Sequence, residues 1–325
     1  MAIKVMCDVG SNLYQQLLED KGLDIKVLPM TLTIKDKNYL CYKDIDDVPS
    51  FSKEFYTQMR EGVIPKTTLP SPGLLAEEIK KEVTGGNEVI VVTLSKNISG
   101  TYQSAKLIAG EINEEEKREC VYVIDSLTAG FGEGLIAIKA HNLAKEGKSF
   151  EEVIKLTEEY VQTVRSEFTV DDLKFLAQNG RISALAARFA NALSIKPLLF
   201  GSPEGEIKVT AKIHGRKKAL IELVNQIVLN IDHPNEQTIY ISHCDALEEA
   251  NQIKDRLIED GITNVEVYYY DLVTGAHVGP GTIAVFYEGN NREINVNHEG
   301  LGERIKQRIE EIKSSIKKEK NPSKK

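Results

Sequence analysis

Strand-length apolar runs alternate with helix-patterned segments through the first half of the chain. After about Thr163 the rhythm changes to a looser mixture of strands and helices, and a stripe of isoleucines at helical spacing follows near the end. These features describe an α/β protein in three parts. Residues 1–163 form an open, mainly parallel α/β sheet domain. Residues 164–288 form a smaller α+β domain with an antiparallel sheet, and residues 289–325 form a C-terminal extension with an extra amphipathic helix.

The strands of the first part are Ile3 to Cys7, Asp24 to Ile34, Glu88 to Leu94 and Cys120 to Asp125, each a run rich in Val, Ile and Leu. Between them Ser71 to Val83, Thr101 to Ile112 and Gly134 to Lys145 repeat apolar residues at three and four, the spacing of a helix face. Three strands run into polar, turn-rich segments at 8–12, 95–101 and 125–130. In open α/β sheets ligands bind outside the carboxyl ends of strands, so these loops are expected to face one crevice. In the second part Glu167 to Val170, Glu206 to Ile213, Gln237 to His243, Val265 to Val273 and Thr282 to Glu288 read as strands. Ile182 to Leu193, Lys217 to Leu229 and Ala246 to Asp260 read as helices, and Thr274 to Gly281 as a Gly-rich loop between antiparallel strands. Ile305, Ile309, Ile312 and Ile316 stripe the last helix, ahead of a Lys-rich end.

Length and composition bound the function. At roughly 100 to 200 residues per domain, 325 residues suit two domains, and 41% hydrophobic content is enough for a core in each. A net charge of −8 gives no support to nucleic-acid binding, which needs a basic face to neutralise phosphates. Cys7, Cys41, Cys120 and Cys244 are far apart, without a CxxC pair or a zinc-spaced histidine, and read as buried free thiols of a cytoplasmic protein. No signal peptide is visible, and the longest apolar stretch is too short to span a bilayer, so no integral membrane segment is expected. Neither a metal site nor a nucleotide cradle of the GxGxxG or GxxxxGK[ST] type is present, so no cofactor is expected.

What remains is a set of hydroxyls and one histidine. Thr67 and Thr68 precede Leu69-Pro70-Ser71-Pro72, where Ser71 is placed to cap a helix and the threonines to offer hydroxyls to an anion. Ser99-Gly100-Thr101 opens the next helix in the same manner, with Gly100 permitting close approach. His277, between Gly275 and Gly279, sits where few side chains are available to bury it as ordinary core. Gly180 closes a short helix and Arg181 emerges from it, while Ser183 is placed to cap the next. Lys208, Lys212, Arg216, Lys217 and Lys218 form a local basic cluster, read as a solvated face.

Taken together these segments resemble the DegV family of bacterial fatty-acid-binding proteins, which present their ligand to a fatty acid kinase. The resemblance is carried by Asp8 with its strand, Thr67-Thr68-Leu69-Pro70, Ile98-Ser99-Gly100-Thr101, Asp125-Ser126, Asp172-Leu173, Gly180-Arg181-Ile182-Ser183, Lys196-Pro197 and Gly275-Ala276-His277 with Gly279-Pro280-Gly281. It implies a long-chain fatty acid in a tunnel between the two domains, with Thr67 or Thr68, Ser99 and His277 around its carboxylate. Asp8, Gly100, Asp125, Ser126, Gly275 and Gly279 are implied as supports of the site, and Arg181 as the docking point of a partner kinase. The protein is then a carrier in phospholipid metabolism without catalysis of its own. The pattern departs from the family where Val9 and Gly10 follow Asp8, where Leu69 replaces an amide, and from about Asn290 onward. An alternative is an acyl hydrolase or acyltransferase with Ser99 as nucleophile, His277 as base and Asp8 or Asp125 as orienting acid; it lacks the GxSxG elbow. A third reading is a lipid sensor whose partner is not a kinase.

Overall fold

The computed structural model describes residues 1–41, 43–45, 48–183, 195–290, 292 and 301–319. Its first sheet is wholly parallel, in the order β2 (Ile25–Leu28), β1 (Ile3–Asp8), β6 (Glu88–Thr93), β7 (Val121–Asp125). Parallel strands covered on both faces need apolar residues at successive positions, and the sequence supplies them. Met6, Val89, Val91, Val121 and Val123 pack under α3 (Pro72–Thr84) and α4 (Thr101–Glu116). Val5, Cys7, Ile90, Val92 and Ile124 point the other way, toward α5 (Phe131–Lys145) and α6 (Phe150–Val161).

The second sheet has six strands, in the order β10 (Ile207–His214), β9 (Ile195–Gly201), β8 (Val164–Thr169), β13 (Ile283–Glu288), β11 (Ile239–His243), β12 (Val265–Tyr269). All its pairings are antiparallel except β11 with β12. On one face Leu198, Ile239, Ile241, Ile283 and Val285 pack under α8 (Arg216–Asn230) and α9 (Leu247–Glu259). From the other face Phe168, Leu199, Tyr240, Ala284 and Phe286 join the same core as α5 and the first sheet. The two sheets therefore share one apolar interior with α5 between them. A small antiparallel sheet, β4 (Lys37–Leu40), β3 (Thr31–Ile34), β5 (Lys66–Thr67), stands beside this seam with α1 (Gln15–Lys21) and α2 (Val48–Arg60).

Several expectations are corrected. The run Asp24 to Ile34 is two strands in two different sheets, divided at Pro29, whose ring removes a ladder donor. The run Val265 to Val273 stops at Tyr269 because Asp271 accepts a 2.7 Å bond from Thr274 N and starts α10 (Leu272–Val278). Thr274 to Val278 are thus helical rather than loop, and β12 and β13 are separated by β11. Ser71 stands at the N-cap of α3, but its side chain makes no capping bond. The helix expected from Ile182 to Leu193 falls largely on residues outside those described. The four cysteines are buried and free. In α11 (Leu301–Glu319) Ile312 is buried and Ile309 partly so, both against the core under α8.

Candidate functional site

Where the two sheets and the small sheet meet there is a cavity of about 470 Å³. One end is polar: Thr67, Thr68, Ser99, Arg181 and His277 all line it. Thr68 and Leu69 are exposed at this end, with Leu69 39% accessible, so it is the open one. Met30, Phe168, Leu176 and Phe286, all buried, supply apolar wall.

Each polar side chain is placed by a local device. Thr67 pairs with Leu32 in the small sheet and so lies on a strand, several residues before α3, rather than at a helix N-terminus. His277 occupies the last turn of α10, and its Nε2 lies 2.8 Å from Thr67 Oγ1. Burial, and secondarily the Arg181 charge, lowers its pKa to about 4, so the ring is neutral at neutral pH. Its Nδ1 is buried without a hydrogen-bond partner among the described residues. An orphaned N–H costs more than an orphaned lone pair, which favours the tautomer protonated at Nε2. His277 then donates to Thr67, whose own hydroxyl proton is left to point into the cavity.

Arg181 follows α7 (Lys174–Gln178), which ends with Gly180 N on Ala177 O and Arg181 N on Leu176 O, the paired bonds of a Schellman turn. Gly180 has φ +69°, the left-handed conformation that this turn requires. The Arg181 side chain is half-buried, donating from Nε to Ile98 O at 3.2 Å and from Nη1 to Asn179 O, and burial lowers its pKa. Ser99 Oγ lies 2.9 Å from Thr101 Oγ1 and accepts from Thr101 N at 3.3 Å.

The arrangement required for Ser99 as nucleophile is not assembled. His277 Nε2 is engaged by Thr67, Ser99 by Thr101, and no carboxylate among the described residues meets His277 Nδ1.

The expected supports stand behind the lining rather than in it. Asp8 is buried, its Oδ1 accepting from Gly10 N at 2.8 Å; burial, with the nearby charge of Asp271, raises its pKa to about 7. Asp125 accepts from Lys96 N at 3.2 Å and Leu127 N at 3.0 Å, shaping the loop after β7. A Cβ at Gly100 would lie 3.3 Å from Leu69 Cδ1. Gly275 admits the Tyr56 hydroxyl, and Gly279, at φ +83°, admits the Phe175 ring. Of the three loops expected at one crevice, those after β6 and β7 contribute Ile98, Ser99, Leu127, Thr128 and Ala129, whereas the loop after β1 does not line the cavity.

Sequence reasoning did not foresee the deep wall, which draws on β8, β13 and the approach to α10, nor Arg292. That arginine, 1% exposed, donates to Leu127 O, Ser126 O and Val161 O at 2.6, 3.1 and 2.7 Å, and ties the β7 loop to the end of α6. No local pattern around residue 292 announces three carbonyls contributed from elsewhere in the chain.

The fold and cavity define a class: a two-sheet α/β protein enclosing an apolar pocket with one hydroxyl-rich, cationic end. The chain belongs to the DegV family, since the model of the family described as "Uncharacterised protein, DegV family" matches residues 2–290. A DegV domain-containing protein of Clostridium perfringens is 33% identical over 290 residues, 89% of this chain and 98% of the relative. Among solved structures, a fatty-acid-binding DegV-family protein of Thermus thermophilus superposes with a TM-score of 0.77 at 26% identity, covering 89% of this chain and 100% of its own. A DegV-family protein of Ruminococcus gnavus, refined with vaccenic acid, gives 0.74 at 27% identity, with 88% and 99% covered. DegV of Bacillus subtilis, described as a fatty acid binding protein, gives 0.72 at 28% identity, with 89% and 100% covered. No helix among the described residues is long and apolar enough to cross a membrane.

Proposed function

We propose that this protein binds a long-chain fatty acid in the cavity between its two domains, residues 1–163 and 164–288, and presents the carboxylate at the open end to a fatty acid kinase that forms the acyl-phosphate. One observation carries the reading: a largely apolar cavity with Thr67 on neutral His277, Ser99 and Arg181 gathered at its solvent end. Burying about 15 methylenes at about 0.8 kcal/mol each is worth on the order of 12 kcal/mol gross, before ordering costs. Hydrogen bonds to the carboxylate add roughly 1.5–3 kcal/mol apiece and fix which end faces out. Three relatives that bind or were refined with fatty acids support the choice of ligand. The protein itself performs no chemistry in this reading, and its four buried free thiols suit the cytoplasm.

Lipid extraction and native mass spectrometry of protein purified from cells test the binding step. About one fatty acid per chain is expected; a ligand-free protein that also refuses added palmitate and oleate would overturn the proposal. In a reconstituted kinase assay Arg181→Ala is expected to keep its lipid yet lose most acyl-phosphate formation. Turnover of a p-nitrophenyl acyl ester, abolished by Ser99→Ala, would instead establish the hydrolase. Uptake of lipid with no response from any kinase would favour the sensor.

A further inference from the structure

Two hydroxyls deep in the cavity have no use in the reading above. Tyr270 is 4% and Ser166 8% exposed, both line the cavity, and neither hydroxyl has a hydrogen-bond partner among the described residues. Neither oxygen is among the fully enclosed unpartnered atoms, so both open on the cavity, where a ligand or water has to pair them. Packing alone does not supply one: Phe168 and Phe286 fill the same wall without oxygen, and phenylalanine in place of Tyr270 would preserve the ring contact with Phe286 at 6.1 Å.

Both hydroxyls lie against glycines. A Cβ at Gly130 would lie 2.8 Å from Tyr270 Oη and 2.6 Å from Phe286 Cζ, and one at Gly201 would lie 2.6 Å from Ser166 Oγ. The two also flank one residue, because Ser166 is the cross-strand partner of Phe286 and Tyr270 packs on its ring. Tyr270 precedes His277 by seven residues, five steps at helical rise from Leu272 and two in the extended approach, about 8–14 Å of backbone, which is the length of about six to eleven carbons of an extended acyl chain.

We propose that Tyr270 and Ser166 form a second polar subsite for an oxygen carried in the middle of the acyl chain, so that the preferred ligand is a mid-chain hydroxylated fatty acid. This deepens the proposed function and rests on its placement of the carboxylate beside Thr67 and His277. An oxygen some eight to ten carbons from the carboxylate accepts from the two hydroxyls, which a plain hydrocarbon leaves unpaired. A pocket built to hydrogen-bond a ligand hydroxyl discriminates against the analogue lacking it far better than an apolar pocket discriminates against an added hydroxyl.

Delipidated protein, titrated calorimetrically with octadecanoic acid, 10-hydroxyoctadecanoic acid and 2-hydroxyoctadecanoic acid, tests the subsite. The 10-hydroxy acid is expected to bind about tenfold or more tighter than the other two. Tyr270→Phe with Ser166→Ala should erase that preference while leaving octadecanoic acid bound at least as well. Equal affinities of the three acids in the wild type, or a preference that survives in the double variant, would overturn the subsite alone. Failure of all three acids to bind folded wild-type protein would overturn the fatty-acid reading, and this inference with it.

Discussion

Replacing Thr67 by valine removes one oxygen at nearly constant volume and strikes the centre of the proposed carboxylate site. His277 Nε2 then loses its 2.8 Å partner. Because Nδ1 is already unpartnered among the described residues, the ring is left with both nitrogens unsatisfied. An unsatisfied buried donor costs about 1–3 kcal/mol, and the midpoint of urea unfolding is expected to fall accordingly. The ligand loses the hydroxyl proton that His277 directs into the cavity, a charge-assisted bond of roughly 1.5–3 kcal/mol, or about 10- to 150-fold in Kd. Methylene burial is untouched, so the variant should still bind. The assay is displacement of a fluorescent fatty acid from delipidated protein, read beside its uncharged methyl ester. The acid should weaken and the ester hardly change. If acid and ester weaken equally, or neither does, Thr67 does not meet the carboxylate and the polar end has been assigned wrongly.

Three further outcomes follow from the same geometry. Burial holds His277 at about 4 against an ordinary 6.5, so its contribution to stability is fully present above pH 6.5 and is lost as pH falls through about 4. The stability advantage of wild type over His277→Gln, from urea titrations at pH 7.5 and 4.5, should therefore shrink by about 2–3 kcal/mol at the lower pH; the opposite pull of Asp8 and Asp271, both raised to about 7, cancels in the difference. Gly279→Ala forces a side chain onto Phe175 at φ +83° and should destabilise by about 3 kcal/mol in denaturant unfolding, whereas Gly147→Ala, also at positive φ but in open space, should cost less. Arg292→Met leaves three backbone carbonyls without their donor and should cost at least about 3 kcal/mol, measured in the same way.

The parallel sheet was legible because its strands are apolar on both faces and are separated by helices of regular spacing. Val89 to Val92 is the clearest instance, with Val89 and Val91 facing one core and Ile90 and Val92 the other. Legibility failed where a distant partner decides the local structure. Thr274 to Gly281 contains three glycines and a proline, a loop by composition, yet Gly275 is glycine to admit Tyr56 from α2, and Asp271 starts the helix by capping it. Strand β9 was missed because Pro197 and Gly201 obscure its pattern; Pro197 is nevertheless opposite Lys212 in the ladder. At the site, Thr67, Ser99 and His277 stood out as polar residues in turn-rich sequence. The deep wall did not, since Ser166 and Phe286 become neighbours only through the β8–β13 pairing, and Tyr270 reaches Phe286 only from the approach to α10.

The loop after β1 shows how the site is held together without that loop lining it. In open α/β sheets this position usually meets ligand. Here Asn12, at φ 61°, accepts from Asp271 N at 2.6 Å and donates to Tyr269 O at 3.1 Å, and Tyr14 Oη donates to the same carbonyl at 2.6 Å. These three bonds fasten the start of α10, and with it His277, to the first sheet. Thr67 is held independently, by the β3–β5 pairing. The Thr67–His277 contact is thus held from two sides of the seam. Polar residues at the end of β1 are kept for that fastening: Asp8 shapes the turn through Gly10 N, and Asn12 clamps the helix that the turn reaches. The buried polar groups around the cavity serve position, and in the proposed function only the hydroxyls and Arg181 are left to meet a ligand.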